Sequence, residues 1–387
     1  MEHEYKNVAI IGAGASGAMC AYFLLKNGID VSIFDFSSPL RTLLPTGGGR
    51  CNLANAEYDF KELAKNYPRG EKFLYSVFSR FSTSETLSLF EELGIKTYTQ
   101  DNGRIFPVSN SSKEVREKIL EKIKSAKFYK EKVTKIEPCG GEIKITTEKA
   151  QYLFSDVVIS VGGHWGYDLI KNLDIKLVEP KPSLVGLKTE ENLGDLSGIV
   201  IKNVYSKDLG IADDLLFTHF GISGPLTYKI SSINARKNFP YEISLDLHPE
   251  AFDLQEKLNS NPHKEIKNIL SDFLPKNFVK HLLAGIVPED TKAHRIDGKT
   301  RDMILDKIHN FNLIVKGTDK GEETVTAGGV DLNEINPKTM EAKKYPHIYF
   351  TGEVLDIDGF CGGFNLQNAW STAFVAVEAL GKTSQTV

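Results

Sequence analysis

The sequence predicts an α/β protein whose parallel sheet opens near residue 7, is interrupted by a long insertion, and closes near the C-terminus. Three observations carry this. An apolar strand, Val8–Ile11, runs straight into Gly12, Gly14 and Gly17. A second apolar strand, Val31–Phe34, follows the next helix and completes a βαβ unit, which calls for parallel pairing and a right-handed crossover. About 340 residues later, IYFTGE again reads as strand then glycine, and Gly362-Gly363 opens a last helix.

In chain order, Ala15–Lys26 is predicted as a helix stopped by Asn27-Gly28. Two more helices are announced by Ser-x-x-Glu capping boxes at Ser82–Glu85 and Ser111–Glu114. Between them KTYTQDNGRIFPV predicts a hairpin turning at Asp101–Gly103. Strands are expected at Lys132–Glu137, Glu142–Thr147 and Asp156–Val161. Around Pro180–Pro182 the character changes. Strand-like pieces at Leu184–Leu187, Ile199–Val204 and Ile243–Leu247 are broken by Gly and Pro, as in an inserted β domain. From Phe252 to His309 the pattern turns helical, clearest at Glu265–Phe273 and Arg301–Phe311. From Thr324 the chain is again apolar and glycine-rich. The expected organisation is a sheet domain over 1–182 and 324–387, a β insertion over 183–250 and about 311–323, and a helical insertion over 251–310.

Composition narrows the class. The 387 residues are 41% hydrophobic and 25% charged, ordinary for a globular protein. A net charge of −4 offers no global attraction for nucleic acid or membrane. The expectation is therefore a small-molecule substrate, with no nucleic acid and no membrane as partner. No apolar run is long enough to span a bilayer. The nucleotide-binding strand begins by residue 7, which argues against a cleaved leader. Cys20, Cys51, Cys139 and Cys361 lack zinc or disulfide-scaffold spacing, so a reduced, cytoplasmic protein is expected. HExxH, GxSxG and Walker patterns are absent. Oligomeric state is left open.

Gly12-Ala13-Gly14-Ala15-Ser16-Gly17 lies between strand and helix, with Asp35 eighteen positions beyond Gly17. In such a unit the first glycine makes the turn, the second lets backbone approach a pyrophosphate, and the third lets helix and strand pack closely. The helix N-terminus supplies unpaired N–H groups for the phosphates. Asp35, followed by Phe36, ends the second strand, where a carboxylate accepts from ribose hydroxyls and disfavours a 2′-phosphate. The alternative is a glycine-rich turn with no ligand.

A second cluster, Gly47-Gly48-Gly49-Arg50-Cys51-Asn52, is costly to order and suits backbone lying against a flat or charged ligand. Arg50 could pair with phosphate or with negative charge on a reduced flavin, or belong to a surface loop. Cys51 and Cys361 read as buried and inert rather than as a redox pair. In the closing block, Gly352 precedes Glu353, whose carboxylate suits a polyol such as a ribityl chain. Gly362, Gly363, Phe364, Asn365 and Leu366 start the last helix, expected to run through Leu380, with its amides towards a flavin or its phosphates. Asp356 and Asp358 read as loop and cap residues. His219, in THFGISGP, reads either as a proton donor above a flavin or as a structural histidine in a tight turn. His164 and His294 are weaker candidates. Together these residues point to flavin adenine dinucleotide.

Six ordered motifs, GAGASG, TGGGRCNLAN, DNGRIFPVS, LFTHFGISGP, TAGGVDLNEINPKTME and YFTGEVLDIDGFCGGFNLQNAW, resemble those of the BaiN/YhiN-like NAD(P)/FAD-dependent oxidoreductases. That family includes aminoacetone-oxidase-type enzymes. The resemblance spans residues 7 to about 380. It implies a Rossmann-like FAD domain interrupted by a β-barrel-like and a helical domain. It also implies FAD contacts at 12–17, Asp35, 47–52, Gly352, Glu353 and 362–367, and an adenine contact through the Val133 backbone. The chain departs from the family after VISVGG, where a longer segment with a GSTG-like run is usual. That bears on contacts at Gly162 and through residue 168. Asp35 stands where Glu is common.

The expected function is FAD-dependent oxidoreduction: NADH or NADPH gives hydride to flavin N5, and the flavin reduces an activated C=C bond or oxygen. No second GxGxxG marks a nicotinamide site, so that cofactor would bind transiently. Oxidation of an amine or amino ketone is the alternative, and a non-catalytic redox-responsive flavoprotein is a third reading.

Overall fold

Val8, Ala9 and Ile10 are wholly removed from water, which a strand achieves only with neighbours on both sides and layers on both faces. The computed structural model describes residues 7–162, 166–250, 252–319 and 325–383, without the side chains of 382 and 383. In it Asn7–Ile11 is the middle strand of a five-stranded parallel sheet. The order is Ile348–Phe350, Asp156–Ile159, Asn7–Ile11, Asp30–Phe34, Lys127–Tyr129. Ala9 lies between Val157 and Ser32, and Val158 pairs with Tyr349. The closing segment is thus hydrogen-bonded into the sheet that the first residues began.

The opening helix Ala15–Lys26 ends at Asn27, and Gly28 takes the left-handed φ of +72° that such a stop favours. It packs on the closing helix, Phe364–Thr383, where the Phe23 and Phe374 rings meet edge-on at 5.5 Å. Ser82 caps Thr83–Glu92 with both arms of its box, while at Ser111, before Ser112–Lys122, the structure shows the arm from Glu114 N. The hairpin pairs Thr97–Thr99 with Arg104–Pro107, and Ala54–Asn55 adds a third strand. Val133–Cys139, Glu142–Thr147 and Gln151–Phe154 form an antiparallel meander.

The chain divides into two compact units, Met1–Lys181 with Val325–Val387, and Pro182–Thr324, and each has its own apolar core. The second unit holds a closed six-stranded barrel. Its order is Leu187–Thr189, Gly221–Ser223, Ile211–Thr218, Val200–Ser206, Tyr241–Asp246, Phe311–Thr318. Helices Leu254–Ser260, Ile266–Leu270, Lys276–Leu283 and Gly298–His309 cover part of the same core, where Phe217 stacks on Phe278 at 5.5 Å. Among the described residues no helix is long and apolar enough to cross a membrane.

Several local expectations shift. Leu184 takes φ +56°, so no strand starts there; the pairing piece is Leu187–Thr189. The helix expected to reach Phe311 stops at His309, and Phe311 opens a barrel strand. The segment expected as helix over 265–273 is helical only at Ile266–Leu270. A helix at Gly224–Ile233, with Pro225 in its first turn, lies where no helix is expected. The expected re-entry point Thr324 lies outside the described residues, as do His164 and Trp165.

Candidate functional site

The glycine loop is shaped by what its residues touch. Gly12 has φ +98°, and a Cβ there would come within 2.7 Å of the Ser160 carbonyl oxygen. A Cβ on Gly17 would overlap the Gly12 carbonyl oxygen. Gly14 differs: a Cβ there would meet only Thr42 Oγ1, at 4.0 Å. Packing therefore dictates glycine at 12 and 17 and leaves the space in front of Gly14 open, as a pyrophosphate against the backbone needs. Gly14 provides no side-chain cap for the opening helix, and the first turn carries no acidic residue. Its N-terminal amides keep their field for an anion. Ser16 Oγ is buried and, apart from the neighbouring Cys20 thiol, has no hydrogen-bond partner. An orphaned hydroxyl at this turn fits a ligand oxygen.

Asp35 does more than end a strand. Its Oδ2 accepts from Ala13 N at 2.7 Å, and its Oδ1 accepts from Ser37 N at 2.7 Å and Ser37 Oγ at 2.8 Å. The carboxylate expected to receive ribose hydroxyls is also the clamp that holds the glycine loop against the second strand. Phe36 is 41% exposed beside it.

In the second cluster Gly47, Gly48 and Gly49 all have positive φ, between 59° and 84°. Added Cβ atoms at Gly48 and Gly49 would meet nothing within 4 Å, so this backbone lies open. Arg50 is held from two sides. Its Nε donates to Gly47 O at 3.2 Å and its guanidinium lies 4.3 Å from the Phe106 ring centre. Cys51 is buried with φ +64°, and burial pushes its thiol up to about 12, as it does for Cys20. Cys361, expected to be buried, is exposed.

The closing block returns to both clusters. Asn52, with its amide nitrogen facing the Ile105 and Ala54 carbonyls, accepts from Gly363 N at 2.9 Å. Asn55 Nδ2 donates to Gly362 O at 3.1 Å, and Trp370 Nε1 donates to Leu53 O at 3.0 Å. A Cβ on Gly352 would press on Ser16 Cβ at 2.7 Å. A Cβ on Gly162 would lie 3.0 Å from Glu353 Oε2, and Glu353 Oε1 accepts from Thr326 N at 3.0 Å. Thr351 Oγ1 and Ser160 Oγ are 2.7 Å apart, tying the closing strand to its neighbour. Asn365 braces its own loop, its amide bonded to Gly359 N and O at 2.9 and 2.8 Å. The Phe364 carbonyl accepts from buried Tyr67 OH at 2.6 Å. Leu366 lies in the first turn of the closing helix, packed against the core.

Residues from 12–17, 35, 47–52, 162, 352–353 and 362–366 are therefore gathered in one unit. Val133 starts the meander, 7% exposed, four residues after the sheet strand ending at Tyr129. Asp358, expected as a cap, is fully buried and paired with Arg69. His219 belongs to the other unit, in the tight turn between Ile211–Thr218 and Gly221–Ser223, its ring against Phe220. Ser37, Asn55, Ser160 and Trp370 do structural work here that sequence reasoning missed. Nothing local marks them, since each acts on a partner distant in sequence, Ser37 excepted.

The family model described as the HI0933-like protein Rossmann domain matches residues 6–379. Two relatives are named ribosomal RNA dihydrouridine synthase. The one from Haemophilus influenzae is 32% identical, covering 98% of this chain and 99% of its own. The one from Escherichia coli is 29% identical, covering 97% and 98%. A third, from Clostridium scindens, is named 3-dehydro-bile acid delta(4,6)-reductase and is 26% identical, covering 96% and 98%. Among solved structures, a flavocytochrome c3 fumarate reductase in its open conformation aligns over 98% of this chain and 79% of its own. Its TM-score is 0.50 at 14% identity, a likeness of fold.

Proposed function

The chain belongs to the HI0933-like family of Rossmann-domain proteins, a family of FAD-binding oxidoreductases, and on that premise we propose that it reduces the C5=C6 bond of uracil in ribosomal RNA, with NADH or NADPH as reductant. The observation that carries this reading is chemical. Three relatives matching nearly the whole chain are named for saturating a carbon–carbon double bond, two of them in uridine. Uracil C5=C6 is conjugated to a carbonyl, so it is the activated C=C expected of the acceptor. On this reading the substrate is RNA, where the composition led to an expectation of a small molecule and no nucleic acid. That expectation rested on a net charge of −4, which averages over the chain and says little of any one surface.

FAD, when bound, supplies the two-electron relay between nicotinamide and acceptor. The protein's part is to bind and orient. The Gly14 backbone and the amides of the opening helix would take the pyrophosphate, with Ser16 Oγ as a further donor. Asp35 would hold the loop and accept from the adenosine ribose, with Phe36 beside it and the Val133 backbone at the adenine. Gly47–Asn52 and the 362–366 helix start would lie against the flavin, and Glu353, beside Gly162 and Gly352, would accept from the ribityl chain. Arg50, fixed on Phe106, would place positive charge where the reduced ring becomes anionic. Reduction of uracil adds hydride at C6 and a proton at C5.

The Clostridium scindens relative favours a second reading, reduction of a small conjugated ketone. Anaerobic assays of the FAD-loaded protein separate these. NADH or NADPH should bleach the flavin, and ribosomal RNA transcribed in vitro should restore its colour with dihydrouridine formed in equal amount. Recolouring by a 3-oxo-Δ4,6 steroid but not by RNA would favour the second reading. Bleaching by an amine or amino ketone, and by neither nicotinamide, would sink both in favour of an oxidase.

A further inference from the structure

Residues 112–135 carry nine lysines and arginines against four glutamates, a local excess of positive charge in a chain whose net charge is −4. The excess is sharpest over 122–132. Lys122, Lys124, Lys127, Lys130 and Lys132 are all exposed, and Glu131 is the single acidic residue among them. Glu131 is turned to the meander: its carboxylate accepts from Thr147 Oγ1 at 2.7 Å and from Tyr152 OH at 3.2 Å. Among the described residues no ion pair engages any of the five lysines, although many other lysines are paired. Amid them Phe128 is 43% exposed on Lys127–Tyr129, an edge strand of the five-stranded sheet.

Lysine on an edge strand also serves to block strand pairing. That accounts for Lys127 alone, because the other four lie outside the strand, and an exposed Phe works against such a purpose. Unpaired cations flanking an exposed aromatic residue along the chain match single-stranded or loop RNA, whose phosphates take the charges and whose bases stack. The surface also adjoins the candidate site within the same unit. Tyr129 O accepts from Asp35 N at 3.1 Å, and the Asp35 carboxylate holds Ala13 N.

We propose that Lys122, Lys124, Lys127, Lys130, Lys132 and Phe128 form a docking surface for the phosphate backbone and an unpaired base of the RNA substrate. This rests on the reading of ribosomal RNA as substrate. It adds where, outside the reaction site, that RNA is held.

The test is salt-dependent binding of the FAD-loaded protein to ribosomal RNA transcribed in vitro, followed by fluorescence anisotropy. The parent is compared with K122Q/K124Q/K127Q/K130Q and with Phe128→Ala. The quadruple variant should bind at least tenfold more weakly at low salt. Its plot of log affinity against log salt should flatten by about 3, since each phosphate that a lysine neutralises contributes roughly 0.7–0.9 to the slope. Phe128→Ala should weaken binding with the slope kept. FAD content and flavin bleaching by nicotinamide should match the parent in both, which shows that the variants are folded. Unchanged affinity and slope in the quadruple variant would overturn the proposal. So would failure of the parent to bind RNA, or tighter binding of the parent to phosphatidylserine vesicles than to RNA, which would make the surface a membrane contact. Failure of the substrate reading is a separate outcome: RNA bound through these lysines with no dihydrouridine formed.

Discussion

Gly14 and Gly17 are glycines of one loop for opposite reasons, and this separates binding from folding. Gly14→Ala meets no protein atom closer than 4.0 Å. It should keep stability within about 1 kcal/mol of the parent while weakening FAD binding at least tenfold, read by flavin fluorescence titration. Gly17→Ala drives a methyl group into the Gly12 carbonyl and should cost about 3 kcal/mol or more, read by denaturant unfolding without FAD. Asp35→Asn removes the charge that three donors share and should raise the FAD dissociation constant about tenfold. The cysteines divide likewise. Iodoacetamide at pH 8 should label exposed Cys139 and Cys361 and spare Cys20 and Cys51, whose thiols burial pushes up to about 12. The loop glycines and Asp35 were legible as residues because each has a local job in a βαβ turn. The clamp made by Asp35 was legible only in part: Ser37 lies two residues on, but the donor at Ala13 is 22 residues back and only folding brings it there.

At the scale of elements, capping signals and continuous apolar runs read well because their causes lie within a few residues. Ser82→Ala removes one arm of a complete capping box and should destabilise the first unit by about 0.5–2 kcal/mol in urea unfolding. Trp370→Phe leaves the Leu53 carbonyl without its donor and should cost roughly 1–3 kcal/mol. Because Leu53 adjoins the Cys51–Asn52 turn, the same variant should also weaken FAD binding, which distinguishes it from Ser82→Ala. Short barrel strands read poorly. Gly221–Ser223 and Leu187–Thr189 have three residues each, too few to show a period, and they are strands only because the barrel closes through them. Gly224–Ile233 was hidden for a related reason. Its Ser-Gly-Pro start is a helix signal, but the same residues read equally well as a turn.

Across the whole molecule, the first unit is made from both ends of the chain. Deleting residues 340–387 removes the Ile348–Phe350 strand and the helix that packs on Ala15–Lys26, and should leave a first unit that neither binds FAD nor unfolds cooperatively. Ligand linkage gives the complementary measurement. FAD at about 100 times its dissociation constant should stabilise the first unit by about 2.7 kcal/mol and raise the melting temperature in step with concentration.

A dinucleotide-binding βαβ unit at the start of the chain, and a second glycine-bearing strand and helix far downstream, are legible in the residues alone. These are local matters of period, cap and turn. Only the folded chain shows that Asn52 and Asn55 grip Gly362 and Gly363, and that Ser16, its hydroxyl without an oxygen or nitrogen partner, packs against Gly352. The reason is physical. A contact between residues 300 positions apart leaves no mark on either neighbourhood, because its energy exists only once the parallel sheet has brought the two ends of the chain side by side.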